Sequence, residues 1–179
     1  MKKYFLFSLL LLSGACSSLK VTYDYDKQID FSQYKTYAYS EDSQKLPVGD
    51  LNRSRIINAV DTEMAAKGFT KSDNPDVLID MHVKAEQKTE ATATTTGPGY
   101  GGYYGRFGYA GGFSTTQINY NDYIEGTLFI NMVDAAKEHI VWQGRATKTI
   151  DEDASTEKRE QNINYAVKQI FMKYPPVKK

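Results

Sequence analysis

Cys16 is the single thiol in a chain of 179 residues, and it stands directly after Ser13, Gly14 and Ala15 at the end of an apolar run, residues 4–12. A thiolate is the best nucleophile a chain offers for taking up a lipid. A lone cysteine has no disulfide partner, whereas exported proteins usually carry an even number. Lys2 and Lys3 before the run and the small residues after it complete the three-part layout of a secretory signal peptide. Crossing about 30 Å of hydrocarbon takes roughly 20 apolar residues, and this run is far shorter, so the segment reads as a leader, residues 1–15. Lipidation at Cys16 is the chemistry it predicts.

Other chemistry-bearing residues are sparse. There are two histidines: His82 lies two residues from Asp80, and His139 lies near Asp134, so a metal site would need these distant pairs to converge. They read as polar groups on strand surfaces, with neither metal nor cofactor expected. No GxSxG or HExxH spacing occurs. Asp151, Glu152 and Asp153 precede a helical segment, where negative charge complements the helix dipole and a capping role accounts for them. Asp80 and Glu125 are the acids to which a hydrolase of glycans or lipids would turn. The remaining feature is "GPGYGGYYGRFGYAGGF", residues 97–113, which holds eight of the 13 glycines. It lacks the lysine-threonine ending of a phosphate loop and opens no helix. Its rings, above all Tyr100, Tyr103, Tyr104, Phe107 and Tyr109, are spaced by glycine and suited to stacking on sugars or adapting to a protein partner.

The leader resembles the bacterial lipobox, with Ser13 where Leu is usual and Leu12 one place further back. The resemblance implies cleavage before Cys16, diacylation of its thiol, and a bilayer as the first partner. Each acyl methylene buried in a bilayer contributes about 0.8 kcal/mol, so two or three chains hold a protein there durably. Ser17 at the next position implies sorting to the outer membrane, and the absence of an early acidic cluster implies the periplasmic side.

Lys and Arg number 22, as do Asp and Glu. Loss of Lys2 and Lys3 with the leader leaves a charge of about −2. Such a chain offers no long-range field to nucleic acid or anionic headgroups, and its length suits one domain with one core.

The elements follow from periodicity. "LKVTYDYD", residues 19–26, alternates Val21, Tyr23 and Tyr25 against polar partners and predicts a half-exposed strand, and "YKTYAY", residues 34–39, predicts a second. Ile56, Ile57, Val60 and Met64 recur at helical spacing between Asp50, a candidate N-cap, and Gly68, a candidate stop. Val77, Ile79, Met81 and Val83 mark a strand with one dry face. Residues 123–134 and 139–150 predict an antiparallel hairpin across a four-residue connection. Ile163, Val167, Ile170 and Phe171 form a last helical stripe before Pro175 and Pro176. An α+β fold in two layers, a mainly antiparallel sheet with both helices on one face, buries all these stripes together. It spans residues 20–174, after a tether at 16–19 and before a tail at 175–179. The glycine-rich stretch, widened to about 89–117 by "TEATATTT", is expected to be a flexible insertion, since ordering it costs more entropy than its few side chains return.

In that order, "FSQYKTYAY", "INAVDTEMAAKGF", "NPDVLIDMHV" and "EGTLFINMVDAAKEHIVWQGRA" together resemble the bacterial lipoprotein family of domain of unknown function 4136. The turn at Asp134 and the apolar anchor Trp142 belong to that pattern. The resemblance implies a membrane-tethered α+β domain in the envelope and assigns no catalytic residue. The expected function is a non-enzymatic binding or scaffolding module in the periplasm, contacting an envelope protein or peptidoglycan. The alternatives are an envelope hydrolase and an outer-membrane assembly factor, for which a sheet edge open to strand addition is the distinguishing feature.

Overall fold

A computed structural model describes residues 19–96 and 115–176. Strand β1, Lys20–Tyr25, is followed by a 3-10 turn and β2, Thr36–Tyr39. A second turn, Asp42–Lys45, leads to helix α1, Asp50–Ala66, and the two-residue strand β3, Thr70–Lys71. Two long strands, β4 at Val77–Thr96 and β5 at Thr115–Asp134, precede β6, His139–Thr149, and helix α2, Thr156–Phe171. They form one six-stranded sheet in the order β1-β6-β5-β4-β2-β3. The sheet is mainly antiparallel, as the α+β reading requires. The β2–β4 and β2–β3 pairs are parallel, because α1 carries the chain back along the sheet between them.

Both helices lie on one face. Val77, Ile79 and Met81 on β4 are fully buried and stand opposite Asp134, Met132 and Ile130 on β5. Met132 and Ile130 in turn face Trp142 and Gly144 on β6. Against this surface pack Ile56, Val60 and Met64 of α1 and Val167, Ile170 and Phe171 of α2. Trp142 is fully buried, stacks on Phe171 at 5.9 Å and meets Tyr174 edge-on at 5.4 Å, and Phe31 and Phe69 extend the aromatic cluster through Tyr174. Tyr37 and Tyr39 of β2 reach α1 from below, both donating to Asp61.

Several local expectations are corrected. The N-cap of α1 is Gly49, with no side-chain cap, and Asp50 opens the helix, where its carboxylate pairs with Arg53 at 2.8 Å. Gly68 does end α1, at φ +82°, with its N–H and that of Phe69 returned to Ala65 and Met64. Ser155, rather than the acids before it, caps α2 by accepting from the Lys158 N–H. Residues 89–96 and 115–117, assigned to a flexible insertion, are strand in full register from Val77↔Asp134 to Thr96↔Thr115. The glycine content dominated the reading of that stretch, but "TEATATTT" contains no glycine and is rich in β-branched threonine, which favours extended pairing. Residues 1–18, with the leader and Cys16, residues 97–114, with Tyr100, Tyr103, Tyr104, Phe107 and Tyr109, and the end of the tail at 177–179 lie outside the described residues.

Gly144 is the tightest point of the core. A Cβ there would stand 2.5 Å from Ile170 Cγ2 and 2.6 Å from the far edge of the Trp142 ring, and neither can retreat from a fully buried position. Gly144→Ala should therefore cost about 1–3 kcal/mol of stability, read as a lower urea midpoint at unchanged slope; an unchanged midpoint would show that the sheet and α2 are not interlocked here.

Candidate functional site

Two features extend beyond the core, both at the end of the sheet where the described chain begins. The first is a ribbon. Pairing of β5 with β6 reaches only Glu125↔Thr149, and pairing of β4 with β2 stops at Tyr39↔Ile79. The Ser43 hydroxyl continues the β2 edge by one step, donating to the Ile79 carbonyl at 3.0 Å and accepting from the Met81 N–H at 2.7 Å. Beyond that, residues 87–96 and 115–124 pair only with each other among the described strands. At about 3.3 Å per residue the ribbon projects roughly 30 Å. The Ile150 N–H donates to the Ile124 carbonyl at 2.8 Å at the root; beyond it, among the described residues, both edges are free of a third strand, the geometry that accepts an added strand.

The ribbon has two unlike faces. On the side continuous with the helix-covered face, Ala91 stands opposite Tyr120 and Ala93 opposite Ile118; Ile118 is 54% and Tyr120 69% exposed. The other side carries Glu86, Lys88, Glu90, Asn119 and Asn121. Glu86 stands directly opposite Glu125. Hydrogen bonds and charge from Lys84 and Lys88 pull the Glu86 carboxyl down to about 2 and offset that repulsion.

The second feature is a cleft of about 540 Å³. Both helices begin here, so the sheet surface beyond their first turns is uncovered. Val83, Leu128 and Ala146 form its floor, Val48 and Ile56 one wall, and Ile163 and Ala166 the other, while Leu19 closes the side from which the chain enters β1. Ile150 folds over Gly126, leaving a Cβ there only 2.7 Å from its tip. Asn52, Lys148, Arg159 and Asn162 make a polar rim, with Lys148 donating to Asn162 at 3.0 Å. Among the described residues no helix is long and apolar enough to cross a membrane.

The acids with strong partners are engaged in holding elements together. Asp134 is buried: desolvation opposes its ionisation, but the Tyr34 hydroxyl at 2.8 Å and the Lys137 and Ala136 amides outweigh that and hold its carboxyl below the ordinary range. Asp61 balances desolvation against Lys71, Tyr39 and Tyr37 with the same outcome. Asp80 lies in a polar row across the helix-free face, where Gln143 donates to Asn131 at 2.8 Å, Asn131 to Asp80 at 3.2 Å, and Ser40 to Asp80 at 2.8 Å. Burial again works against the Asp80 charge, and Ser40, Asn131 and His82 outweigh it. This row escaped the sequence reading, because alternation marks Asn131 as a strand residue without revealing that it is 3% exposed and bonded on both sides.

The hydrolase pair is not brought together. Asp80 pairs with Asn131, six residues along β5 from Glu125, a separation of roughly 20 Å at about 3.3 Å per residue. Two carboxylates that cleave a glycosidic bond stand about 5–9.5 Å apart. His82 is bonded to Asp80 at 2.7 Å, whereas His139 faces Asp26 at 3.6 Å. Among the described residues no group of three or more histidine, cysteine, aspartate or glutamate side chains is placed to hold a metal ion.

A family model described as "Domain of unknown function (DUF4136)" matches residues 21–176. No curated protein matches. Among solved structures, a PDZ domain protein from Parabacteroides distasonis is similar at a TM-score of 0.53 and 19% identity, over 90% of this chain and 36% of that one. The chain thus spans about a third of that protein, and the likeness concerns the fold. A PelC dodecamer from Paraburkholderia phytofirmans aligns with 86% of this chain and 95% of its own at 9% identity and a TM-score of 0.43.

The bonded carboxylates set an acid limit. With folded-state values below the unfolded value of about 3.9, Asp61, Asp80 and Asp134 bind fewer protons folded than unfolded. Their contribution is complete above about pH 5 and is lost as pH falls through the folded-state values. Urea midpoints should hold between pH 7 and 5 and drop between 5 and 3, and Asp134→Asn should lower the neutral midpoint while flattening that drop. An Asp134→Asn protein with the same acid limb would remove Asp134 from this account.

Proposed function

The chain belongs to the DUF4136 family, and from that premise we propose that it is an envelope lipoprotein whose folded body is a binding or scaffolding module rather than an enzyme. Acylated Cys16 tethers the body to the outer membrane on its periplasmic side, and residues 97–114, which join the two ribbon strands, contact an envelope protein or peptidoglycan at that surface.

The observation that carries this reading is the ribbon. A two-stranded ribbon is marginal in water on its own, and this one extends roughly 30 Å from a well-packed sheet with its distal residues exposed on both faces. Rooting a projecting pair of strands in a packed body suits a contact role for the segment they join, whose sequence holds six aromatic residues from Tyr100 to Phe113. The carboxylates with strong partners hold elements in place, which supports a non-catalytic role. The open ribbon edges favour a second reading, an assembly factor that receives a strand from an unfolded outer-membrane protein.

Deletion of residues 97–113 distinguishes these. The variant should keep the unfolding midpoint of the parent, since the ribbon's root is secured by β6 and the helices, and should lose partners captured by crosslinking in intact cells. Capture of the same partners by the deletion variant would shift the contact to the ribbon edges, and loss of the fold would contradict the separation of body from loop.

A further inference from the structure

We infer that the cleft between the N-terminal halves of α1 and α2 takes one hydrocarbon chain of a bilayer phospholipid. The inference rests on the tether proposed above and goes beyond it, because a tether needs no cavity in the domain it holds.

Leu19 lines the cleft, and β1 starts at the next residue. Cys16 lies three residues earlier, and three residues span at most about 11 Å. A body anchored through Cys16 therefore keeps this cleft within reach of the bilayer, with the ribbon that leaves the same end lying along the surface on the side that carries Ile118 and Tyr120. Strand direction gives the same end: β1 starts opposite Thr147, close to where β6 finishes at Thr149 and the ribbon departs. Cleft, tether and ribbon root share one end of the sheet.

The cleft suits a hydrocarbon chain. Its volume of about 540 Å³ falls within the range of about 300–1,000 Å³ usual for small-ligand sites. Val48, Ile56, Val83, Leu128 and Ile163 give it apolar walls, and charged residues of both signs, Lys148, Arg159, Asp151 and Glu152, line its mouth, with Lys148 bonded to Asn162 and Arg159 to the carbonyls of Ala154 and Glu152. It is open because the helices stop short, so an entering chain displaces no side chain of the core. The exposed apolar pair Ile118 and Tyr120 lies further along the same sheet face.

The test uses the native acylated protein in phosphatidylethanolamine–phosphatidylglycerol vesicles doped with a phospholipid that carries a photoreactive diazirine in one acyl chain. Flotation reads the tether, and mapping of the crosslinks reads the cleft. The expected result is flotation with label on peptides containing Leu128, Ile163 or Ala166. Ile163→Glu and Ala166→Phe, one placing a charge in the cleft and the other filling it, should each reduce that label at least tenfold while the protein still floats and melts cooperatively. Flotation without cleft label, or label unmoved by both substitutions, overturns the inference and leaves the tether standing. Crosslinking of the cleft to a photoreactive chain built into the Cys16 anchor, in place of the vesicle lipid, also overturns it. Failure to float overturns the tether, and this inference falls with it.

Discussion

One sheet face must be kept dry by two helices much shorter than the strands they cover. Helix α1 has 17 residues and α2 has 16, so at about 1.5 Å per residue each covers roughly 25 Å. Strands β4 and β5 have 20 residues each, or roughly 65 Å at about 3.3 Å per residue. Where helix and strand overlap, burial is complete, with Trp142, Ile170, Phe171, Met81 and Ile130 all at 0% exposure. Past the helix starts the same face continues without cover, first as the cleft and then as the side of the ribbon that carries Ile118 and Tyr120. Both candidate sites are consequences of this mismatch in length.

The interlock at Gly144 keeps the covered part rigid. Removing the side chain at one position of β6 lets Ile170 of α2 and the Trp142 ring come together over the strand, so the second helix is seated by shape as well as by burial. The polar side chains then fix the edges: Asp61 ties α1 to β2 and β3, Asp134 orders the β5–β6 turn and ties it to Tyr34, and Ser43 completes a β4 edge that β2 is too short to pair. Three tyrosines of one short segment, Tyr34, Tyr37 and Tyr39, donate to these two aspartates, which accounts for part of the chain's high tyrosine content in structural terms.

Much of this was legible in the sequence. Alternation at Val77, Ile79 and Met81 and the helical stripes of Ile56, Val60, Met64 and of Val167, Ile170, Phe171 each report a single buried face, so the two-layer architecture followed from periodicity. The parallel pairing of β2 with β4 did not, because strand order depends on which elements meet across α1. The ribbon was missed because glycine in residues 97–113 outweighed the threonines that precede them. The cleft was invisible for a deeper reason: Leu19, Val48, Val83, Leu128 and Ile163 come from five separate segments, and no local pattern reports the space they leave. Cys16, by contrast, is legible only in the sequence.

The open cleft and the ribbon root lie together at the end of the sheet where β1 begins, next in sequence to the proposed tether. The most direct measurement is the intact mass of the native protein extracted from the cell envelope. The account predicts a polypeptide that begins at Cys16 and carries the added mass of two or three acyl chains. A chain that retains residues 1–15, or one cut elsewhere with a free thiol at Cys16, would contradict it.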